Sequence, residues 1–124
     1  MIWLTNAMVE TFHRESLVMF GGGDGLRDAG LLASALARPQ NVFAYEPEAD
    51  VFRLAASYCH GIVKNHPFVD GNKRTGTLAA IAFLALNGVE VVFDEPDIVV
   101  MVIGLASSEV SEEQMADWLR RSAI

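Results

Sequence analysis

The chain has 124 residues, of which 52% are hydrophobic, and its mean hydropathy is +0.28. This composition excludes a disordered chain and suffices for one buried core, so we expect a single domain over residues 1–124. Nine basic residues against sixteen acidic ones give a net charge of −7. That charge argues against a direct nucleic-acid partner, because a phosphate backbone is bound by accumulated lysine and arginine.

The apolar stretches and the cysteine content indicate where the protein works. The longest apolar stretches, about residues 78–86 and 98–106, are shorter than the roughly 20 residues that a membrane-spanning helix needs. The N-terminal sequence MIWLTNAMVE lacks the basic start and long apolar run of a signal peptide. The single cysteine, Cys59, excludes an internal disulfide. We therefore expect a cytoplasmic protein with no membrane partner.

The N-terminal part of the chain predicts two helices and a short flap. Apolar residues at near-helical spacing predict a first helix over residues 5–20, with Thr5 as its N-cap. Residues 28–38 predict a short second helix that ends at Pro39. Residues 41–46, NVFAYE, contain valine, phenylalanine and tyrosine, which favour strands. They predict a short β-like flap.

The remainder of the chain predicts four more helices. Proline and acidic residues are typical of the first turn of a helix, and Ser111 with Gln114 forms a capping-box pattern. The predicted elements are a helix beginning at Pro47 and running through residues 48–65, a buried central helix from about Asn72 to Gly88, an extended segment 89–93, and helices 94–109 and 111–122. Together these elements predict an all-α bundle.

One segment between two apolar helices concentrates the polar chemistry, residues 66–76 with the sequence HPFVDGNKRTG. Pro67 disfavours helical geometry at His66, and Gly71 permits a tight turn. The next helix is therefore expected to begin near Asn72. Its first amides would have no partner within the helix, an arrangement that binds anions.

The side chains of this segment have complementary chemistry. Lys73 and Arg74 strengthen an anion site, since the arginine fork suits phosphate oxygens. Asp70 is a ligand of the kind that Mg²⁺ prefers beside phosphate oxygens and water. His66 takes up a proton near neutral pH. A base, a metal ligand and an anion site in one loop predict the transfer of part of a nucleotide.

Other polar or reactive residues have structural interpretations. Phe68 is expected in the core, and Cys59 is expected to be a small core residue rather than a nucleophile. His13 lies in a charged helical turn, which predicts a surface position, and His60 lies on an apolar helix, which argues against a zinc or iron site. The glycine-rich residues 21–25 predict a helix end and a turn rather than a phosphate loop, because no strand precedes them.

The polar segment resembles the motif of Fic proteins, H-x-F-x-[D/E]-G-N-G-R-x-x-R, which lies in a loop between two helices of an all-α fold. The chain departs from it at Lys73, where the motif has glycine, and at Thr77, where it has the second arginine. These departures are similar to the Doc (death on curing) branch, whose loop reads H-x-F-x-D-[A/G]-N-K-R-T. The matching positions are His66, Phe68, Asp70, Gly71, Asn72 and Arg74.

The similarity to the Doc branch extends over nearly the whole chain. It includes GGGDGLRDAGLLASALARPQ, NGVEV and the total length. The resemblance implies a Fic-type helical bundle that uses ATP and Mg²⁺, with His66 as the general base for an incoming hydroxyl and Asp70 as the Mg²⁺ ligand. The residues implied to bind the nucleotide phosphates are Gly71, Asn72, Lys73 and Arg74.

The Doc branch implies a toxin of a toxin–antitoxin system. Its members are associated with phosphorylating a threonine of elongation factor Tu, which stops translation, and their partner is an antitoxin of the Phd type. Fic proteins often inhibit themselves through [S/T]-x-x-x-E-[G/N]; the nearest match, TFHRES at residues 11–16, fails at its last position. Inhibition is therefore expected in trans.

Two other functions remain open at this point. One is protein adenylylation, the common activity of Fic proteins. The other is an inactive binding module that serves only as co-repressor of its antitoxin. The intact set of His66, Asp70, Lys73 and Arg74 argues against the inactive module, because unused polar groups near a core carry a burial cost.

Overall fold

The computed structural model describes residues 1–124 and contains six helices and no sheet, which confirms the predicted all-α bundle. None of the helices combines the length and apolar character needed to cross a membrane. The helices are α1 Asn6–Phe20, α2 Ala29–Tyr45, α3 Val51–Asn65, α4 Asn72–Leu86, α5 Glu95–Ser107 and α6 Glu112–Arg121.

Side-chain caps fix where several of these helices begin. Thr5 accepts the amide of Met8 at the start of α1, which confirms the predicted N-cap. Ser111 and Gln114 form both hydrogen bonds of the capping box at the start of α6. Helix α3 begins later than predicted, at Val51 rather than at Pro47. The reason is that the carboxylate of Asp50 accepts the amide of Arg53, the third residue of the helix.

Helix α2 does not end at Pro39, and the flap predicted for residues 41–46 is absent because the helix continues to Tyr45. Pro39 is buried, and the apolar face continues past it to Phe43, whose ring meets Trp3 edge-on at 5.9 Å. Burial of these side chains against the core outweighs the one backbone hydrogen bond that a proline removes from a helix. Tertiary packing therefore overrides the local strand preference.

Helix α3 lies at the centre of the bundle, where it contacts α2, α4, α5 and α6. Two glycines allow its close contacts. A Cβ on Gly61 would lie 3.1 Å from the Cα of Ala35 on α2, and a Cβ on Gly76 of α4 would lie 3.0 Å from a methyl of Val63. The buried apolar residues form one cluster, and it includes Cys59, as predicted.

The segment predicted to be extended, residues 89–93, forms no strand of its own. Val91 makes a single antiparallel bridge with Ala123 next to the C-terminus. On either side of it, the amide of Val92 donates to Ser122 and the amide of Ile124 donates to Glu90. These bonds join the connection between α4 and α5 to the residues that follow α6.

Candidate functional site

His66 occupies the turn by which α3 ends. It is the C-cap of α3 in the left-handed conformation, with φ 52° and ψ 54°, which is uncommon and costly for a residue other than glycine. Arg27 holds this backbone in place: its Nε donates to the His66 carbonyl at 2.8 Å and its Nη2 to the Asn65 carbonyl at 3.0 Å. The imidazole itself is exposed. No pattern in the sequence indicates this role of Arg27.

Asp70 lies at the other end of the loop, and backbone amides hold its carboxylate. The amide of Gly71 donates to Oδ1 at 2.8 Å, and the amide of Gly23 donates to Oδ2 at 3.3 Å. These two bonds keep the pKa of Asp70 below its ordinary value, and the bond from Gly71 contributes more than the bond from Gly23. A Cβ on Gly22 would lie 2.7 Å from Oδ2, so this approach requires glycine.

The glycine-rich segment 21–25 ends α1 as predicted, since the amide of Gly21 donates to the Leu17 carbonyl at 2.7 Å. It also pairs with residues 66–76, the motif loop, and this pairing was not predicted. The amide of Val69 donates to Gly25 at 3.0 Å, and the amide of Arg27 donates to Pro67 at 2.7 Å. The two segments therefore form one backbone unit around the polar residues.

Asn72 is buried, and its side chain is fully used by the loop. Its Oδ1 accepts the amide of Phe68 and its Nδ2 donates to the Phe68 carbonyl, both at 3.0 Å. Phe68 itself is buried in the core, as predicted. The side chain of Asn72 therefore fixes the shape of the loop, and only its backbone amide remains free for the predicted phosphate contact.

Helix α4 begins at Asn72, as predicted, and has no side-chain cap. Its N-cap Gly71 has φ 78°, and the first backbone bond of the helix joins the Thr75 amide to the Gly71 carbonyl at 2.9 Å. The amides of Asn72, Lys73 and Arg74 therefore have no acceptor in the protein. Free amides at a helix N-terminus are suited to phosphate oxygens.

The two cations of the loop are exposed and form no ion pair. The guanidinium of Arg74 lies 4.4 Å from the ring centre of Phe20, at the end of α1. This stacking orients the side chain without neutralising its charge. Lys73 and Arg74 therefore remain available to an anion that binds the α4 amides.

The residues of the loop fit a magnesium ion that is shared with a nucleotide. No three histidine, cysteine or acidic side chains gather into a metal site held by protein alone. Asp70 offers one exposed, charged carboxylate beside the α4 amides. Magnesium commonly takes one or two carboxylates and completes its coordination with phosphate oxygens and water.

His13 is buried rather than at the surface, so its predicted position is wrong. Only 3% of the residue is exposed, and its ring stacks on Phe68 with 3.9 Å between ring centres. The charged neighbours Arg14 and Glu15 lie on the outer side of α1. His13 shares the inner side with Val9 and Ser16, and its spacing of four residues from the apolar Val9 could have identified it.

A second polar cluster lies on another face, around Glu112 at the start of α6. Arg38 of α2 donates to Glu112 Oε1 at 2.7 Å, Arg53 of α3 contacts Oε2, and His60 Nδ1 lies 3.1 Å from Oε1. Burial opposes ionisation of Glu112, but the Arg38 hydrogen bond and the neighbouring charges hold its pKa below the ordinary value. Burial is also the main cause that lowers the pKa of His60.

Two clefts, of about 400 and 620 Å³, flank this Glu112 cluster, and neither is lined by a residue of the motif loop. These two clefts therefore lie beside the Glu112 cluster and not at the motif loop. We assign the candidate site to the motif loop, because the charged groups of the Glu112 cluster are already paired with one another.

Comparison with known proteins identifies relatives that cover most of the chain. The sequence model of the Fic/DOC family matches residues 3–84, which span α1 to α4 and the motif loop. "Protein kinase doc" of Escherichia phage P1 is 38% identical over 109 residues, covering 88% of this chain and 86% of that protein. "Toxin Doc" of Mycolicibacterium smegmatis is 40% identical over 93 residues, covering 70% of this chain and 72% of that protein.

Proposed function

The chain belongs to the Fic/DOC family, and on that premise we propose that it is a Doc-type toxin that acts as an ATP-dependent protein kinase. The proposed reaction transfers the γ-phosphate of ATP to a threonine hydroxyl of a translation factor, with elongation factor Tu as the expected target. Translation in the cytoplasm would stop as a result. One observation carries the proposal: His66 lies exposed on a constrained backbone, beside free amides and two unpaired cations.

In this reaction His66 accepts the proton of the threonine hydroxyl as its oxygen attacks the γ-phosphorus. The bond between that phosphorus and the β–γ bridging oxygen breaks, and ADP leaves. Arg27 fixes the backbone of His66, so the imidazole is displayed from a defined point of the loop. General-base catalysis of this kind contributes roughly 10²–10⁴ to the rate.

The start of α4 provides the proposed phosphate site. The free amides of residues 72–74 lie in its first turn, and Lys73 and Arg74 of the same turn carry unpaired cations. Asp70 is the proposed protein ligand of Mg²⁺, which when bound to ATP would neutralise charge on the phosphate oxygens. Because the loop is held before substrate arrives, it needs little reorganisation during the reaction.

Two positions of the motif favour transfer of the γ-phosphate over transfer of the adenylyl group. Lys73 places a bulky cation where the Fic motif has a glycine that lets the backbone approach the phosphates. Thr77 has no charge where the motif has its second arginine, and its hydroxyl donates to the Lys73 carbonyl at 2.9 Å. The phosphate site that adenylyl transfer requires is thus crowded by Lys73 and lacks the charge of the second arginine. An ATP molecule bound in the reverse orientation would present its γ-phosphate to the acceptor.

The proposed partner is a Phd-like antitoxin that inhibits the toxin in trans. The chain lacks a complete Fic inhibitory motif, because residues 11–16 end in serine where the motif needs glycine or asparagine. Large apolar side chains at the end of α1, Val18 and Met19 among them, are exposed. Exposed apolar side chains of this kind are suited to a segment that becomes ordered on binding.

The test incubates the purified protein with elongation factor Tu or a translation extract and ATP labelled at the α or the γ position. Label from the γ position alone supports the kinase. Label from the α position would contradict it in favour of an adenylyltransferase, and label from neither position would favour the binding module. His60→Ala is the control for His66→Ala, since His60 lies within α3 and outside the loop, whereas His66 is the C-cap of the same helix.

A further inference from the structure

We propose that His13 is a positioning residue for the transfer reaction, because it fixes the peptide that carries Asp70 and leads into α4. His13 belongs to α1, far from the motif in sequence, and none of the roles above uses it. The inference rests on the proposed function, since it concerns how that site is held.

The contacts of His13 define which nitrogen carries its proton. Its Nε2 lies 2.8 Å from the backbone carbonyl oxygen of Asp70. A carbonyl oxygen only accepts hydrogen bonds, so Nε2 must carry hydrogen and donate it. The ring is nearly parallel to that of Phe68, at 8° and 3.9 Å between centres, and only 3% of the residue is exposed.

This donor acts on a residue that is otherwise held only through its carboxylate. Asp70 Oδ1 and Oδ2 accept the amides of Gly71 and Gly23, and the bond from His13 adds a restraint on the main chain from the core side. The ring also lies directly beneath the turn, since a Cβ on Gly71 would lie 3.7 Å from His13 Cδ2. The plane of the 70–71 peptide is therefore set by His13.

The orientation of that peptide affects both the proposed metal ligand and the proposed phosphate site. It sets the direction of the Asp70 carboxylate, and it precedes the free amides at the start of α4. Loss of a hydrogen bond that orients a metal ligand typically costs 10–100-fold in metal affinity or activity. We expect a loss of that size when the Nε2 donor is removed and the fold is retained.

If His13 served only in packing, a different result would be expected. Two substitutions distinguish a packing role from a positioning role. His13→Phe keeps an aromatic ring on Phe68 but has no donor for Asp70. His13→Gln loses the ring but places an amide nitrogen close to where Nε2 lies. A packing role favours the phenylalanine variant, whereas a positioning role favours the glutamine variant.

The experiment measures kcat, the KM for ATP and the Mg²⁺ concentration for half-maximal activity, together with thermal unfolding. We expect His13→Phe to lose about 10–100-fold in kcat/KM and to require more Mg²⁺, and His13→Gln to recover most of that loss. Equal losses in both variants, or full activity in His13→Phe, would overturn the proposal. If His13→Phe does not fold, His13→Leu provides the variant without a donor.

A failure of the proposed function remains distinguishable from a failure of this inference. If the wild-type protein transfers label from the α position, the same variants are compared in that reaction. If it transfers no label at all, the readout is Mg²⁺-dependent binding of ATP by calorimetry. Weaker binding by His13→Phe with recovery in His13→Gln supports the inference, and equal binding by wild type and His13→Phe contradicts it.

Discussion

The motif loop and the Glu112 cluster are the two places where this small apolar protein gathers polar groups, and they are organised in opposite ways. Around Glu112, the side chains of Arg38, Arg53 and His60 converge on one carboxylate. In the loop, the cations of Lys73 and Arg74 form no ion pair. Two clefts flank the cluster in which the charged groups are already paired.

The difference lies in what the hydrogen bonds hold. In the Glu112 cluster they join side chains of three helices, α2, α3 and α6, to one another, so the cluster fastens the bundle. In the loop they hold the backbone, through Arg27, His13 and Asn72. A fixed backbone with unpaired side chains is suited to binding and chemistry. Paired charges are suited to stability or partner specificity.

The largest expected effect is on catalysis, at His66. His66→Ala should lower the rate of phosphoryl transfer by roughly 10²–10⁴ and leave the unfolding temperature close to that of the wild type, because the side chain is exposed. Single-turnover transfer to the acceptor measures it. His60→Ala is the control in the opposite region and should retain activity. A folded His66→Ala protein that still arrests growth would show that the loop is not catalytic through this residue.

The next largest effect is expected on stability, at Asn72, and it tests whether the side chain of this residue holds the loop. Asn72→Ala removes both hydrogen bonds to the Phe68 backbone and should reduce the free energy of unfolding by about 2 kcal/mol, since each such bond contributes roughly 1 kcal/mol. Urea denaturation measures this loss. Asn65→Ala is the matched control, because it removes one side-chain bond, to the Leu31 carbonyl. Unchanged stability in Asn72→Ala would contradict the structural role of the amide.

Sequence reasoning identified the loop because its parts are contiguous. Residues 66–74 carry the histidine, the carboxylate and the cations within one short segment, and the start of α4 follows from local rules about proline and glycine. The N-cap of α1 and the capping box of α6 are equally local, and the structure confirms them. Roles that depend on neighbours in sequence are the ones that sequence can predict.

The features that were missed depend on contacts between distant residues. The four members of the Glu112 cluster lie on three helices, so no spacing connects them. Pro39 was expected to end α2 because local chemistry says so, but the core buries the helix beyond it. The charged neighbours of His13 predict a surface position, whereas its burial depends on a contact with Asp70, 57 positions away in the chain.

A smaller effect is expected from the Glu112 cluster, and it should appear in stability alone. Glu112→Gln keeps the shape but removes the charge that Arg38 and Arg53 share, so the free energy of unfolding should fall by about 1–2 kcal/mol while transfer activity is unchanged. Glu113→Gln is the matched control, because it also lies in the first turn of α6 but is exposed and forms no ion pair. Lost activity at unchanged stability would place the cluster in the functional site.

The smallest effect concerns the pH dependence of stability at Asp70. The amides of Gly71 and then Gly23 hold the folded pKa of this carboxyl below its ordinary 3.8. The unfolded chain therefore binds the proton more readily, so the carboxylate contributes stability that is present above pH 3.8 and is lost as the pH falls through the folded pKa.

Asp70→Asn lacks this titration, and its unfolding free energy should fall less steeply with decreasing pH below 3.8 than that of the wild type. Urea denaturation at a series of pH values measures the two slopes. Asp24→Asn removes the same charge from the adjoining glycine segment, where the aspartate is exposed, and controls for net charge. Identical slopes for wild type and Asp70→Asn would mean that the amides do not hold the carboxylate in solution. The loop would then lack the fixed ligand geometry that distinguishes it from the Glu112 cluster.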